Sequence, residues 1–144
     1  MKIGLGSLFQ DFNDNSAALK KYANCNFHNP NSAELWNNIG MCYYGEGKFY
    51  SAISCLKKAL YFNPMEWSIY FNLGLVYLAM EQYSSAFHFF LVTIKYNPNV
   101  GKTFMLLGIC LWKLGDMENA YNSYARAIEL DETDESIPLN FAIF

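Results

Sequence analysis

The chain has 144 residues, 53% of them hydrophobic and 18% aromatic, with only 16% charged and a formal net charge of −3. Such a hydrophobic composition excludes a disordered chain, and a mildly acidic balance without a basic run argues against nucleic acid or an anionic membrane as the main partner. So low a charge fraction means that another protein covers much of the surface, or that the chain is a piece of something larger.

The opening MKIGLGSLF starts like a signal peptide, but Gln10 and Asp11 end the apolar run too early. The longest uncharged apolar stretches, 71–80 and 104–112, fall short of the roughly 20 residues that span a bilayer, so no membrane insertion is expected. Cys25, Cys42, Cys55 and Cys110 form no Cys-x-x-Cys pair, and no Asn-x-Ser/Thr acceptor is present. A reduced, cytoplasmic protein is the expectation.

A period of 34 residues organises the chain. Gly6, Gly40, Gly74 and Gly108 keep that step, as do Ala18, Ala52, Ala86 and Ala120, and Pro30, Pro64 and Pro98. The second unit reads Trp36, Ile39, Gly40, Tyr43, then Ala52, Leu56, Ala59 and Pro64. The third reads Tyr70, Leu73, Gly74, Tyr77, then Ala86, Phe90, Thr93 and Pro98. The fourth reads Phe104, Leu107, Gly108, Leu111, then Ala120, Tyr124 and Ala127. Apolar residues within each unit fall at helical spacing. Gly45-Glu46-Gly47 and Leu114-Gly115-Asp116 supply turns between paired helices. Asn-Pro pairs at 29–30, 63–64 and 97–98 end each second helix, because a residue before proline avoids the α region.

These residues resemble the tetratricopeptide repeat, a helix–turn–helix unit of 34 residues. The expected fold is an all-α, right-handed solenoid over residues 1–144, with repeats at about 1–32, 33–66, 67–100 and 101–134 and a partial fifth at 135–144. Neither terminus carries the polar cap of a free solenoid, since Phe141, Ile143 and Phe144 finish on apolar residues. The expectation is an excerpt from a longer array.

Candidates for catalysis are absorbed by the repeat. His28 and His88 sit at non-equivalent positions without partnered carboxylates, and Cys42 and Cys110 share one repeat position, as small core residues would. Gly45-Glu46-Gly47-Lys48 lacks the spacing of a phosphate loop. The carboxylates of 116–119 and 131–136 sit where acids cap helix starts. No enzyme activity, cofactor or metal is expected.

First helices of stacked repeats line a concave groove, so Asn38, Tyr44, Phe71, Asn72, Met105 and Trp112 are the candidate protein-binding residues. Asn38, Asn72 and Asn140 share one repeat position, and such a ladder either holds an extended peptide or merely bonds neighbouring carbonyls. Lys102 and Lys113 are the only cations on these faces, too few for a clamp on a terminal carboxylate. The second helices, around Lys57, Lys58 and His88, are the competing docking face.

Runs at 36–61, 70–90 and 105–131 include positions the repeat does not dictate, such as NNIGMC, AISCLK and SAFHF. These runs resemble the Bardet–Biedl syndrome 4 family. That resemblance implies a subunit of the BBSome, which carries membrane proteins to and from cilia, and association with centriolar satellites and dynein–dynactin at the ciliary base. The alternative is a general peptide-binding adaptor, such as a co-chaperone or a targeting array.

Overall fold

The computed structural model describes residues 32–130, and within them every regular element is a helix. In order these are α1 (Ala33–Gly45), α2 (Phe49–Phe62), α3 (Trp67–Ala79), α4 (Tyr83–Tyr96), α5 (Gly101–Lys113) and α6 (Met117–Leu130). The first repeat with Gly6, Ala18 and Pro30, and the partial fifth with Asn140, lie outside the described residues. The chain divides into two compact units after Asn72, within α3.

Local chemistry sets the helix limits. Ser32 Oγ accepts from the Leu35 N–H at 3.1 Å and caps α1, with Glu34 in the first turn to complement the helix dipole. Asp116 Oδ1 accepts from the Asn119 N–H at 3.2 Å and does the same for α6, as its place at a helix start suggests. Asn63 and Asn97, each followed by proline, hold extended φ values of −146° and −148° and end α2 and α4. Tyr70 then donates from its hydroxyl to the Pro64 carbonyl at 2.7 Å, tying α3 to the loop before it.

The three turns inside the helix pairs are built alike. Lys48, Gln82 and Asp116 donate from their backbone N–H to the carbonyls of Tyr43, Tyr77 and Leu111, each at 2.9 Å. This six-to-one closure needs a left-handed residue just before the donor. Gly47 and Gly115 fill that place with φ of +79° and +93°, but the middle turn uses Glu81 at φ +62°. Sequence reading found the two glycine turns and missed the third, since nothing in Glu81 announces a positive φ.

In the first unit, α1 packs on α2 through Leu35, Ile39 and Cys55, flanked by Trp36 and Tyr43. In the second, Met105, Tyr124 and Ala127 join α5 to α6, with Phe104, Ile109 and Ile128 against them. Ala52, Ala86 and Ala120 have no exposed surface. They let the partner helix come close to the glycine opposite. A Cβ on Gly40 would lie 3.0 Å from Leu56 Cγ, one on Gly108 would lie 3.2 Å from the Ala120 carbonyl and the Tyr124 ring, and one on Gly74 would lie 2.5 Å from the Phe90 ring.

Two stability measurements check this account. Glu81→Gly should stabilise the chain by roughly 1 kcal/mol, because a non-glycine residue in the left-handed region carries a cost of about 1–2 kcal/mol. A melting temperature that is unchanged or lower would show that Glu81 is unstrained. Gly74→Ala should destabilise by roughly 1–2 kcal/mol, overpacking outweighing the helix propensity gained, which is about 1 kcal/mol. Its loss in denaturant unfolding should exceed that of Gly108→Ala, where the obstacle stands farther away.

Candidate protein-interaction site

The six candidate side chains divide into four that reach solvent and two that do not. Asn38, on α1, is half-buried. Tyr44, at the end of the same helix, is half-buried too, with its ring tilted against Phe49 across the turn at 6.0 Å between centroids. Burial pushes the Tyr44 phenol above its ordinary pKa. Phe71 is half-buried on α3, edge-on to Trp67 at 6.3 Å, one helical turn earlier. Trp112 is half-buried near the end of α5. Lys113 Nζ stands 5.0 Å from the Trp112 ring and 6.0 Å from that of Tyr83, within cation–π range of both.

Asn72 and Met105 are interior. Asn72 is 1% exposed, and its Nδ2 donates to Asn37 Oδ1 at 2.9 Å. An amide so enclosed offers no surface to a passing peptide. Of the two roles open to the asparagine ladder, Asn72 takes the bond to a neighbouring carbonyl, here that of a side chain. Met105, 7% exposed, fills the α5/α6 core beside Tyr124. Both residues stand at groove positions in the repeat register, yet a register assigns an angle on the helix and not the depth at which a neighbour covers it.

The first unit also holds a polar cleft of about 310 Å³, lined by Ala33, Glu34, Asn37, Asn63, Glu66, Ser68 and Ile69. Ser68 Oγ donates to Glu66 Oε2 at 2.9 Å on its wall. Sequence reading did not single out this cleft or the Asn37–Asn72 bond. The signal available was the spacing of 35 residues, one repeat plus one, which joins diagonal and not equivalent positions.

Among the described residues no group of three or more His, Cys, Asp and Glu could hold a metal ion, and no helix is long and apolar enough to cross a membrane. Cys42, Cys55 and Cys110 are buried free thiols. Desolvation pushes Cys42 up to about 11, with the Glu46 charge adding to it, and desolvation pushes Cys110 up to about 11. Such thiols are poor nucleophiles at neutral pH. Glu46 itself is nearly enclosed, with Lys48 Nζ at 3.4 Å from its Oε1 as an ion pair, although that oxygen accepts no hydrogen bond.

Paired helices with a glycine–alanine seam, repeated every 34 residues, define an all-α solenoid of interaction repeats. Family models of the tetratricopeptide repeat match residues 33–65, 68–99 and 101–134, and the chain belongs to the tetratricopeptide-repeat family. It is also similar to particular proteins. It is 47% identical over 126 residues to BBSome complex member BBS4 of Xenopus tropicalis, covering 88% of this chain and 24% of that protein. Against BBSome complex member BBS4 of Mus musculus it is 45% identical over 141 residues, covering 98% of this chain and 27% of that one. The BBS4 homolog of Drosophila melanogaster is 40% identical over 148 residues, covering 99% and 30%. The chain thus spans about a quarter of the length of these curated relatives. A crystal structure of MamA superposes with a TM-score of 0.80 at 20% identity, over 91% of this chain and 77% of that one. The first tetratricopeptide domain of Spaghetti (RPAP3), bound to an HSP90 peptide, gives 0.73 at 21%, over 77% and 88%. At such identities these two share the fold alone.

The thiols give a pH dependence. A cysteine whose folded pKa is raised from 9.0 to about 11 keeps its proton after the unfolded chain has lost its own. Between those values the unfolded state binds fewer protons, so stability falls as pH rises. The melting temperature should be flat from pH 7 to 8.5 and decline from 9 to 11. Cys42→Ser with Cys110→Ser should flatten that decline, and an equally steep decline in the double variant would show that other groups cause it.

Proposed function

We propose that this chain is a non-catalytic protein-interaction segment of a BBSome subunit, acting in the movement of membrane proteins to and from cilia. The observation that carries the reading is the 40–47% identity to BBS4 proteins of three animals across at least 88% of the chain. A shared repeat alone gives much less, as the 20–21% identities of the structural neighbours illustrate. Association with centriolar satellites and dynein–dynactin, and residence at the ciliary base, belong to the same proposal.

Within it, Asn38, Tyr44 and Phe71 in the first unit and Trp112 in the second are the partner-contacting residues. Each is half-buried on a first helix, where a large side chain can gain contact area at little further entropic cost. Asn72 and Met105 hold the helices that present them.

Affinity purification of the endogenously tagged protein from ciliated cells tests the reading. BBSome subunits should co-purify in stoichiometric amounts. Phe71→Ala with Trp112→Ala should cut their recovery sharply, since truncating a true anchor costs 2 kcal/mol or more. Circular dichroism should confirm that the variant keeps its helices. Recovery of chaperones without any BBSome subunit would favour the general adaptor and overturn the proposal.

A further inference from the structure

The outward side of α2 carries the most exposed large hydrophobic residues of the described surface. Tyr61, Tyr50 and Met65 are 81%, 75% and 68% exposed, the three most exposed of the large hydrophobic residues described. Tyr50, Ser54, Lys57 and Tyr61 follow one another at steps of four, three and four residues, so they form a single stripe along the helix. Met65 follows in the loop beyond. The buried residues Ala52, Leu56 and Ala59 occupy the opposite side. Eleven residues of α-helix place the two tyrosines about 16 Å apart along the helix, with Lys57 between them in the stripe.

We propose that this stripe docks an acidic, amphipathic peptide segment of a partner protein. Charge selects the occupant. The helix carries Lys57 and Lys58 and no carboxylate. Lys58 is drawn to the Trp36 ring, 4.2 Å from its centroid, whereas Lys57 is exposed and makes no ion pair among the described residues. A carboxylate from a partner therefore meets an unopposed cation flanked by two flat apolar rings. Tyrosine suits such a surface, combining a large contact area with few rotatable bonds and a hydroxyl that stays hydrated or bonds the peptide. A second copy of this chain is a poorer occupant, because it brings a net charge of −3 against an equal charge. A nucleic acid is poorer still, since one free lysine between two tyrosines neutralises too few phosphates.

This surface is separate from the first-helix residues assigned above, and the proposal stands whether or not those residues bind BBSome subunits. Selection of a displayed random dodecapeptide library on the 144-residue chain, with counter-selection on a Tyr50→Ala/Lys57→Glu/Tyr61→Ala variant, tests it. The recovered peptides should be enriched in Asp and Glu together with aliphatic or aromatic residues. As labelled peptides in fluorescence polarisation they should bind Tyr50→Ala/Tyr61→Ala and Lys57→Glu at least tenfold more weakly than wild type. Unchanged circular dichroism melts should accompany both variants, whose altered side chains are exposed. Neutral or basic peptides after counter-selection, affinities that the variants leave unchanged, or a dT12 oligonucleotide bound in place of peptides would each overturn the proposal.

Discussion

Everything described rests on how closely the two helices of a repeat approach one another. A glycine on each first helix faces a large side chain on the second: Gly40 meets Leu56, Gly74 meets Phe90 and Gly108 meets Tyr124. The alanine one turn earlier on the second helix, fully buried in all three cases, removes the other obstacle. Small residues facing large ones let the ridges of one helix sit close in the grooves of the other, and this pairing fixes which side of each helix turns inward. The outward side is fixed with it. Exposure of Tyr50 and Tyr61 follows from burial of Ala52, Leu56 and Ala59 on the same helix.

Most of this was legible in the sequence, because the fold repeats its requirements. One glycine in a helix means little, but glycines at 40, 74 and 108 with alanines at 52, 86 and 120 and prolines at 64 and 98 restrict the chain to one architecture. Helix ends were readable for the same reason. Asn-Pro stops α2 and α4, and Asp116 starts α6, through chemistry confined to a few neighbouring residues. What escaped was whatever departs from the repeat. Glu81 takes a left-handed conformation that its own side chain disfavours, imposed by the closure shared with its glycine counterparts. Asn72 and Met105 occupy groove positions in the repeat register and are nonetheless covered. Their burial depends on the length of neighbouring side chains, a quantity that periodicity does not carry.

The Asn37–Asn72 bond shows how a buried polar group fits such a scaffold. An enclosed amide without a partner costs about 1–3 kcal/mol, so Asn72 restrains α1 and α3 within the first unit to an arrangement that satisfies it. An apolar residue at that position would pack without specifying a distance. Thr93 settles a smaller case of the same constraint by donating its hydroxyl to the Phe89 carbonyl at 2.8 Å within its own helix. Thr103 is also buried, and its hydroxyl has no hydrogen-bond partner. The structure offers no compensation there.

Repetition also separates scaffold from recognition, since each repeat is a control for the others. Positions that carry one class of residue in every described repeat, such as 40, 74 and 108, serve the helix pair. The α2 stripe lies at positions that diverge. Tyr50 corresponds to Ser84 and Glu118, Ser54 to His88 and Asn122, Lys57 to Leu91 and Ala125, and Tyr61 to Lys95 and Glu129. The structure leaves nearly all of these side chains exposed, so the fold does not dictate their chemistry. An acidic residue serves helix packing as well as a tyrosine at such a place, and better favours solubility. The rings of Tyr50 and Tyr61 stay mostly exposed, with Tyr61 edge-on to Phe62 at 5.2 Å, and the proposed contact rests on that exposure. The half-buried Phe71 and Trp112 differ, because part of their surface already contributes to packing, so binding by their variants is read together with a check that the helices persist. In the proposed contact, the exposed stripe is where binding of a partner can be varied while the scaffold stays constant.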